Sequence, residues 1–400
     1  MIKAIVTFTL IATFTSVAAP VALDASKFPS LQAAFDALPA EGGSVNIPPG
    51  NYEITEPLRI QTPETRVVGH GAATHIINKS EAGTPALILE PKDLTKDPKS
   101  RLWRVQLADL RISGNPKSGD GIYAHFIQEI YLEGVSIDHH GANGVHLHSC
   151  FEDPRVEDSI FTYNATAGLQ ITDCHDIVVN GNHFEENQDA LRCVDSFNLC
   201  CNGNNIDDHL RHGIVIENTY GSVCSGNMVE ECNGTAVILD RDCYGITLSA
   251  NVIAHHLQGG IDLVDANGCA VSANSFVLCH TFGVRLGKES GRNSITGNTF
   301  GNTYIGNGQL KRPLREHENP MMIDAAGGIV IEGASDLAIT GNTFTGLDYE
   351  AVKSDAAATR LLVTQNIMTD CCRRLSPSSP WVKIASPEGN HLIKDNLGQK

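Results

Sequence analysis

Aromatic side chains are scarce in this 400-residue chain, in which Phe, Trp and Tyr together make up 6% of the residues. Glycine, in contrast, occurs 37 times, and asparagine recurs throughout. A helical bundle needs large apolar side chains and has little use for glycine. The composition therefore argues against a bundle and favours many short strands joined by tight turns.

Basic residues are also in deficit, because 29 Lys and Arg stand against 46 Asp and Glu, which gives a net charge of −17. This excludes general nucleic-acid binding through a basic surface, although a locally basic cleft for an acidic ligand remains compatible with it. The 12 cysteines include no CxxC spacing, so a metal site of that type is not indicated. A structural role for them, including disulfides in an exported chain, is favoured over a catalytic thiol.

A long apolar run is found only near the N terminus. Lys3 precedes an apolar stretch over residues 4–14, and Ser16-Val17-Ala18 follows it as a small-x-small sequence. These are the three parts of a signal peptide, so we expect residues 1–18 to be removed and the mature chain to be secreted or periplasmic. No later run is long enough to cross a bilayer, and no membrane association is expected after removal of the signal.

A motif of a small residue followed by two apolar residues in alternation recurs along the chain. Its first apolar positions are 22 to 24 residues apart, except for one gap of 45. They are Ile122, Val145, Leu169, Leu191, Ile214, Val237, Ile261, Val284, Ile329 and Val352. Alternation is strand spacing, and a fixed period of this length indicates a solenoid. We therefore predict an all-β parallel solenoid with coils of about 23 residues.

Asparagines recur with the same spacing at a second position of the repeat. They are Asn182, Asn204, Asn227, Asn251, Asn274, Asn298, Asn342 and Asn366. Stacked coils would bring these side chains into a column, where each amide can bond the next one, as in other stacked strands.

A single domain over residues 19–400 is expected. The gap of 45 predicts a loop insertion at about 302–325, which lacks apolar alternation and has two prolines.

Residues 28–38 form an amphipathic pattern with Ser30 as N-cap, which predicts a helix that covers the open end of the solenoid. The order LQAAFDALPAEGGSVNIPPGNYEI, VVGHG, then Gly-Ile and Asn-x-Phe repeats resembles the right-handed parallel β-helix, pectate-lyase-like superfamily, including repeats of the copper-handling periplasmic type. The resemblance extends from about Asp24 to Asn396. It implies right-handed coils and a substrate on the outer face of the sheet that begins with the Gly-Ile motif. The superfamily contains lyases, hydrolases, epimerases and proteins without activity, so fold alone does not give function.

Polar side chains are concentrated on the outer face of the early coils. If the repeat positions point inward, the next residues point outward, and His125 and His148 should stack one coil apart. Five of the 16 histidines lie between positions 125 and 148. The outward residues that we single out as catalytic are Tyr123, His146, His148 and Arg192. Those expected to bind substrate are His125, Gln170, Glu217, Asp240, Asp262 and Arg285.

Our first hypothesis is a polysaccharide lyase or C5-epimerase that acts on a uronate-containing polymer. Either reaction removes the proton beside a carboxylate, so it needs a base such as His146 or His148 and an acid such as Tyr123. It also needs a donor such as Arg192 to neutralise the carboxylate. The partner is then a polysaccharide.

Two alternatives remain open. A glycoside hydrolase of the same fold needs two carboxyl groups, for which Asp240, Asp262 and Glu217 are available. The Asp-Asp motif of polygalacturonase-like relatives is missing from the expected strand, since Asp207-Asp208 is out of phase. A non-catalytic protein that binds metal or carbohydrate is the other alternative, with His125, His146 and His148 beside Asp138 as ligands. No acidic triplet demands calcium, and the sequence leaves open a divalent cation as cofactor, the disulfides and the oligomeric state.

Overall fold

The structure is a computed structural model, and it describes residues 21–302, 325–386 and 388–399. The expected signal peptide, residues 1–18, and nearly all of the expected loop insertion lie outside the described residues. None of the described helices is long and apolar enough to span a membrane.

The described residues form one 3₁₀-helix (Ala25–Lys27), one α-helix, α1 (Leu31–Asp36), and 42 strands. Most strands have only three to six residues. In chain order the first half are β1 (Val21–Asp24), β2 (Gly43–Asn46), β3 (Gly50–Ile54), β4 (Leu58–Ile60), β5 (Thr65–Asn78), β6 (Leu87–Leu89), β7 (Leu102–Ser113), β8 (Ile122–His125), β9 (Ile127–Glu133), β10 (Ser136–Asp138), β11 (Val145–His148), β12 (Arg155–Glu157), β13 (Ile160–Thr162), β14 (Ala167–Thr172), β15 (Val178–Asn180), β16 (His183–Glu185), β17 (Asp189–Val194), β18 (Cys200–Asn202), β19 (Asn205–Asp207), β20 (His212–Glu217) and β21 (Val223–Ser225). The second half are β22 (Met228–Glu230), β23 (Thr235–Asp240), β24 (Cys243–Tyr244), β25 (Thr247–Ser249), β26 (Val252–Ala254), β27 (Gly259–Leu263), β28 (Ala266–Asn267), β29 (Ala270–Ser272), β30 (Ser275–Val277), β31 (Phe282–Leu286), β32 (Ser294–Thr296), β33 (Thr299–Gly301), β34 (Ile329–Ile331), β35 (Ser335–Thr340), β36 (Thr343–Thr345), β37 (Val352–Ser354), β38 (Thr359–Thr364), β39 (Ile367–Thr369), β40 (Val382–Ile384), β41 (Leu392–Lys394) and β42 (Leu397–Gln399).

The strands stack as a parallel β-helix, which confirms the predicted all-β solenoid. Thirteen of them form one sheet in the order β4-β6-β8-β11-β14-β17-β20-β23-β27-β31-β34-β37-β40, which we call the site sheet. Another 27 strands form a second sheet, which consists of two series of stacked strands joined through the long strands β5 and β7. We call each series a ladder. The two remaining strands, β24 and β28, pair with each other. Each coil adds one strand to the site sheet and one to each ladder.

The repeat positions of the sequence lie in register down the inside of the site sheet. Val145 pairs with Ile122 and with Leu169, and the pairing continues to Val352. All ten repeat residues are at most 2% exposed, so this row is a continuous part of the core. Val284 pairs directly with Ile329, and the sheet therefore continues without a step across the gap of 45 residues.

The asparagine ladder is present as predicted. From Asn182 to Asn396, each side-chain Nδ2 donates to the Oδ1 of the next asparagine at 2.9 to 3.1 Å. Each Nδ2 also donates to a backbone carbonyl of the preceding coil, as Asn251 does to Cys224 O at 3.1 Å. Because the amides are buried and fully bonded, they lock the turn of every coil to its neighbours.

Helix α1 covers the N-terminal end of the solenoid, as the sequence predicted. The Ser30 side chain accepts from Ala33 N at 3.1 Å and caps the helix. Leu31, Ala34 and Phe35 are buried against the first coils. Farther along, Phe276, Phe300 and Phe344 stack in the core with centroid separations of 4.5 and 4.8 Å.

Replacing Asn251 by alanine should lower the stability of the fold by roughly 2–4 kcal/mol, because the Cys224 carbonyl and the Asn227 amide lose buried partners. The measurement is the urea midpoint followed by circular dichroism. Asn205→Ala is the control, since the Asn205 side chain bonds only at the exposed surface, to His183. Equal midpoints for the two variants would contradict a stabilising ladder.

Candidate active site

The outward side chains of the site sheet form two neighbouring rows. In the first row Tyr123, His146, Gln170 and Arg192 are paired in register across β8, β11, β14 and β17. In the second row His125 pairs with His148, and His148 with Thr172. Strand alternation points all of these residues away from the core, and coil stacking places them about 4.8 Å apart along the axis.

Tyr123, His125, His146 and His148 make direct contact, and we call them the Tyr–His cluster. Tyr123 Oη lies 2.9 Å from His148 Nδ1, a hydrogen bond whose donor depends on the histidine tautomer. His125 stacks on His148 with ring centroids 4.6 Å apart, as the sequence predicted. His146 stands 5.5 Å from His148 and 5.4 Å from Tyr123, centroid to centroid.

Burial and mutual repulsion keep two of these imidazoles neutral. The pKa of His146 falls to about 4, mainly because burial disfavours its charged form and then because of His148 and His125. The pKa of His125 also falls to about 4, through burial, His148 and Arg101. Burial and the charge of Glu90 raise the pKa of the Tyr123 hydroxyl. At neutral pH the cluster therefore combines neutral imidazoles with a protonated phenol.

Asp120 and Arg101 belong to this site, although the sequence analysis did not assign them a role. Asp120 Oδ2 is 3.8 Å from His146 Nδ1, and burial raises the pKa of its carboxyl. The Arg101 guanidinium lies 4.3 Å above the Phe126 ring, beside His125. The available signals were the Gly119-Asp120-Gly121 triplet directly before β8 and a local group of basic residues in an acidic chain.

Gln170 is linked to the cluster through a hydroxyl. Its Nε2 donates to Thr172 Oγ1 at 3.1 Å, and the same hydroxyl lies 3.3 Å from His146 Nε2. The structure therefore connects this expected substrate-binding residue to an expected catalytic one. Both ring nitrogens of His146 have polar neighbours, Thr172 on one side and Asp120 on the other.

Arg192 lies two coils from His146 and is engaged by two carboxylates. Its Nη1 bonds Asp189 at 3.1 Å, and its Nη2 bonds Glu217 at 3.0 Å. Asp189 is 1% exposed and is also held by Arg211 and by the backbone amide of His212. The charge of Arg192 is thus already compensated.

The remaining expected substrate-binding residues lie on later coils and are not brought into the cluster. Asp262 is 3% exposed and forms a two-bond ion pair with Arg285, whose guanidinium lies 4.8 Å from the Phe282 ring. Glu217 also bonds Arg241 at 3.1 Å, and Asp240 caps the Arg241 amide at 2.8 Å.

Asp138 is not beside the three histidines, so the metal site suggested for these four residues is wrong. It lies on β10, in the other sheet, where its carboxylate accepts from Arg111 at 2.9 Å and from Ser113 at 3.0 Å. The three histidines lie in the segments that begin with the Gly-Ile motif and form the site sheet. Asp138 lies in a different segment of its coil, which forms part of the other sheet.

Two overlapping groups among the described residues have the donor atoms for a cation, and both lie on a corner of the other sheet. They are Glu230, Glu231 and His255, and Asp207, Asp208 and Glu231, each with ligand atoms within 4.8 Å of one another. We call these five residues the acidic corner. The carboxylates raise the pKa of His255 to about 9, whereas burial and Glu231 raise the pKa of Asp208 to about 6.

All twelve cysteines are free thiols, and eleven of them are buried. The eleven buried ones lie in the core, where burial raises the pKa of Cys193 and Cys279 to about 12. A thiol that stays protonated is a poor nucleophile, so this arrangement agrees with a structural role.

The sequence matches the profile described as "Right handed beta helix region" over residues 99–253 and 202–375, more than half of the chain. The chain belongs to the right-handed β-helix family. Among curated proteins, none matches the sequence significantly.

Solved β-helix structures resemble the chain in fold at low identity. The DFA-IIIase of Arthrobacter chlorophenolicus A6, solved with GF2, has 16% identity and a TM-score of 0.61, with 94% of this chain and 98% of that one covered. The A-module of the Azotobacter vinelandii mannuronan C-5 epimerase AlgE4 has 16% identity and a TM-score of 0.53, with coverage of 94% and 99%. Tailspike protein 3 of bacteriophage CBA120 has 14% identity and a TM-score of 0.57. There 90% of this chain is covered, and it spans 62% of the tailspike.

Asp208→Asn should raise the melting temperature of this β-helix more near pH 8 than near pH 4. The folded-state pKa of Asp208 is raised to about 6, so this carboxyl disfavours folding increasingly as the pH rises from about 4 through 6. Differential scanning calorimetry at the two pH values tests this.

Asp153→Asn is the control, because both aspartates have positive φ, 54° and 63°, and the change favours asparagine equally at each. A gain of the same size at both pH values, or the same gain in both variants, would contradict the repulsion.

Proposed function

We propose that this protein is a secreted polysaccharide-active enzyme that transfers protons at C5 of uronate units, as a lyase or a C5-epimerase. The observation that carries the proposal is the Tyr123–His148 hydrogen bond beside the neutral imidazole of His146. A base and an acid on one exposed strand pair are the parts that this chemistry needs. The fold likeness to a mannuronan C-5 epimerase and to DFA-IIIase supports a carbohydrate substrate.

In the proposed reaction, neutral His146 takes the proton from C5, and the electron pair of the C–H bond is delocalised into the adjacent carboxyl group. In a lyase, that pair then forms the C4–C5 double bond while the C4–O bond breaks. Tyr123 gives its proton to the departing oxygen, after which water returns a proton to the phenolate and takes one from the His146 imidazolium. In an epimerase, Tyr123 instead returns a proton to the opposite face of C5. His148 orients the Tyr123 hydroxyl through its Nδ1.

The substrate carboxylate needs a cation, because charge develops on it as the proton leaves. Arg101 borders the cluster beside His125 and meets this need for the reacting unit. Arg192 lies two coils away, so in the proposal it binds a neighbouring unit, and Gln170 and His125 contact sugar hydroxyls. On the later coils, Asp240 and Arg285 contact units still farther along the polymer, while Glu217 and Asp262 hold the arginines in place.

The geometry supports a hydrolase less well. A hydrolase needs one carboxyl that gives a proton to the glycosidic oxygen and another that acts on C1. Asp262 is buried beneath Arg285, and Glu217 is bound by two arginines, so neither is free to contact a glycosidic oxygen. Proton transfer by the Tyr–His cluster is therefore the function that we prefer.

His146→Ala and Tyr123→Phe should each lower kcat on uronate polymers by at least 100-fold with the fold intact, since each removes one proton-transfer group. Absorbance of unsaturated uronate detects a lyase, and exchange of the C5 hydrogen with deuterated water detects an epimerase. His139→Ala is the matched control, because that exposed histidine lies in the turn after β10, away from the cluster, and bonds Asp138. Full activity in both cluster variants would refute the proposal.

The pH profile provides a separate test. Because His146 is active only when neutral, kcat/KM should rise as the pH passes through about 4 and then stay level. The acid limb of kcat should lie at higher pH, because the bound carboxylate favours the imidazolium. The alkaline limb should come only above the ordinary value for tyrosine, since the pKa of Tyr123 is raised. An acid limb of kcat/KM near pH 6.5 would indicate another base.

A further inference from the structure

A cleft of about 550 Å³ lies at the N-terminal end of the solenoid, between helix α1 and the first strand of the site sheet. Phe35, Asp36 and Leu38 line it on the helix side, and Arg59, Gln61 and Lys92 on the side of the sheet. A cavity of this size holds a small ligand or the end of a larger one.

The lining provides one uncompensated cation together with polar groups. Among the described residues, no carboxylate lies within ion-pair distance of Lys92, which is exposed. Arg59 Nη1 bonds Glu90 at 2.8 Å, and the Asp36 carboxylate accepts from Gln32 Nε2 at 2.8 Å. Since Glu90 compensates Arg59, Lys92 is the cation that would meet an anionic ligand, while Gln61 and Arg59 offer hydrogen bonds. Asp36 bonds only a neutral amide and keeps its negative charge, so an anionic group would lie on the side of the cleft that the sheet lines.

The cleft adjoins the Tyr–His cluster. Arg59 pairs in register with Ile88, and Ile88 with Tyr123, so Arg59 lies in the first outward row two coils from Tyr123. Two coils correspond to about 10 Å along the axis. Glu90, the partner of Arg59, is close enough to Tyr123 to raise the pKa of its hydroxyl.

Helix α1 closes the cleft on the side away from the cluster. It packs on β4, and its buried residues cover the end of the core. A polymer that follows the outward rows toward the N terminus therefore meets the helix rather than open solvent.

We propose that this cleft binds the terminal unit of a polyuronate chain, with its carboxylate on Lys92 and the following units over the Tyr–His cluster. The inference rests on the proposed function and extends it: the enzyme recognises a chain end and acts at a fixed short distance from it. Each polymer then binds one enzyme at the end that it presents, whatever its length.

The test is isothermal titration calorimetry of the full chain carrying His146→Ala, which prevents turnover, with short and long homopolymeric uronate oligosaccharides. One protein should bind each chain at both lengths. Adding Lys92→Gln should raise Kd about tenfold, which corresponds to 1.4 kcal/mol. Lys96→Gln is the matched control on the same segment, because that side chain is 83% exposed, pairs with Asp93 and lies outside the cleft. Arg59→Gln provides a second variant of the cleft and should also weaken binding.

A stoichiometry that grows with chain length, or equal Kd values for the Lys92 and Lys96 variants, would overturn end recognition. Turnover by the wild-type chain is measured separately. End binding that depends on Lys92, without turnover of any uronate polymer, would support the cleft while refuting the proposed reaction. Normal turnover with a Lys92 variant that binds like the control would refute the cleft and leave the reaction standing.

Discussion

The hydrogen-bonded register between successive coils is the constraint on which the rest of this structure depends. It makes neighbours of residues about 23 positions apart, since each coil repeats the same path one strand spacing farther along the axis. The asparagine ladder holds this register at one turn of each coil, and the inward apolar row holds it in the core. Because Val284 pairs with Ile329, the phase is preserved even where the chain is longer by one repeat. The rows of outward side chains are a direct consequence.

The pKa of histidine is shifted in opposite directions at two places in this molecule, because the neighbouring groups differ. In the Tyr–His cluster, imidazoles shield one another from water and repel one another's charge, so the pKa of His146 falls to about 4. At the acidic corner, Glu230 and Glu231 raise the pKa of His255 to about 9. A neutral imidazole can accept a proton, whereas one that is charged at neutral pH serves to balance nearby carboxylates. This contrast supports the proton transfer that we propose for the Tyr–His cluster.

Arginine–carboxylate pairs have a different role on the same face. Asp189 and Asp262 are almost completely buried, and each is held by an arginine through two hydrogen bonds. A buried carboxylate without such a partner would be strongly unfavourable, so these pairs are interdependent and resist rearrangement. They form a rigid polar surface on the coils that follow the cluster.

The solenoid is predictable from the sequence, because its two repeated motifs are local patterns that stacking must satisfy. The inward row, the asparagine ladder and the stacking of His125 on His148 follow from the repeat period and strand alternation, and the Ser30 cap follows from the amphipathic pattern of residues 28–38. The partner of each charged side chain, in contrast, depends on the folded coils. Asp138 was assigned to the histidines because it is near them in sequence, yet it lies in the other sheet and bonds Arg111. The sequence predicts that Arg192 binds the substrate carboxylate, yet Asp189 and Glu217 already bind its guanidinium. Asp120 and Arg101 border the cluster, although the repeated motif does not include them. The period fixes which row a residue occupies. The rotamers, the burial and the contacts with adjacent coils, which sequence spacing does not encode, fix what its side chain bonds.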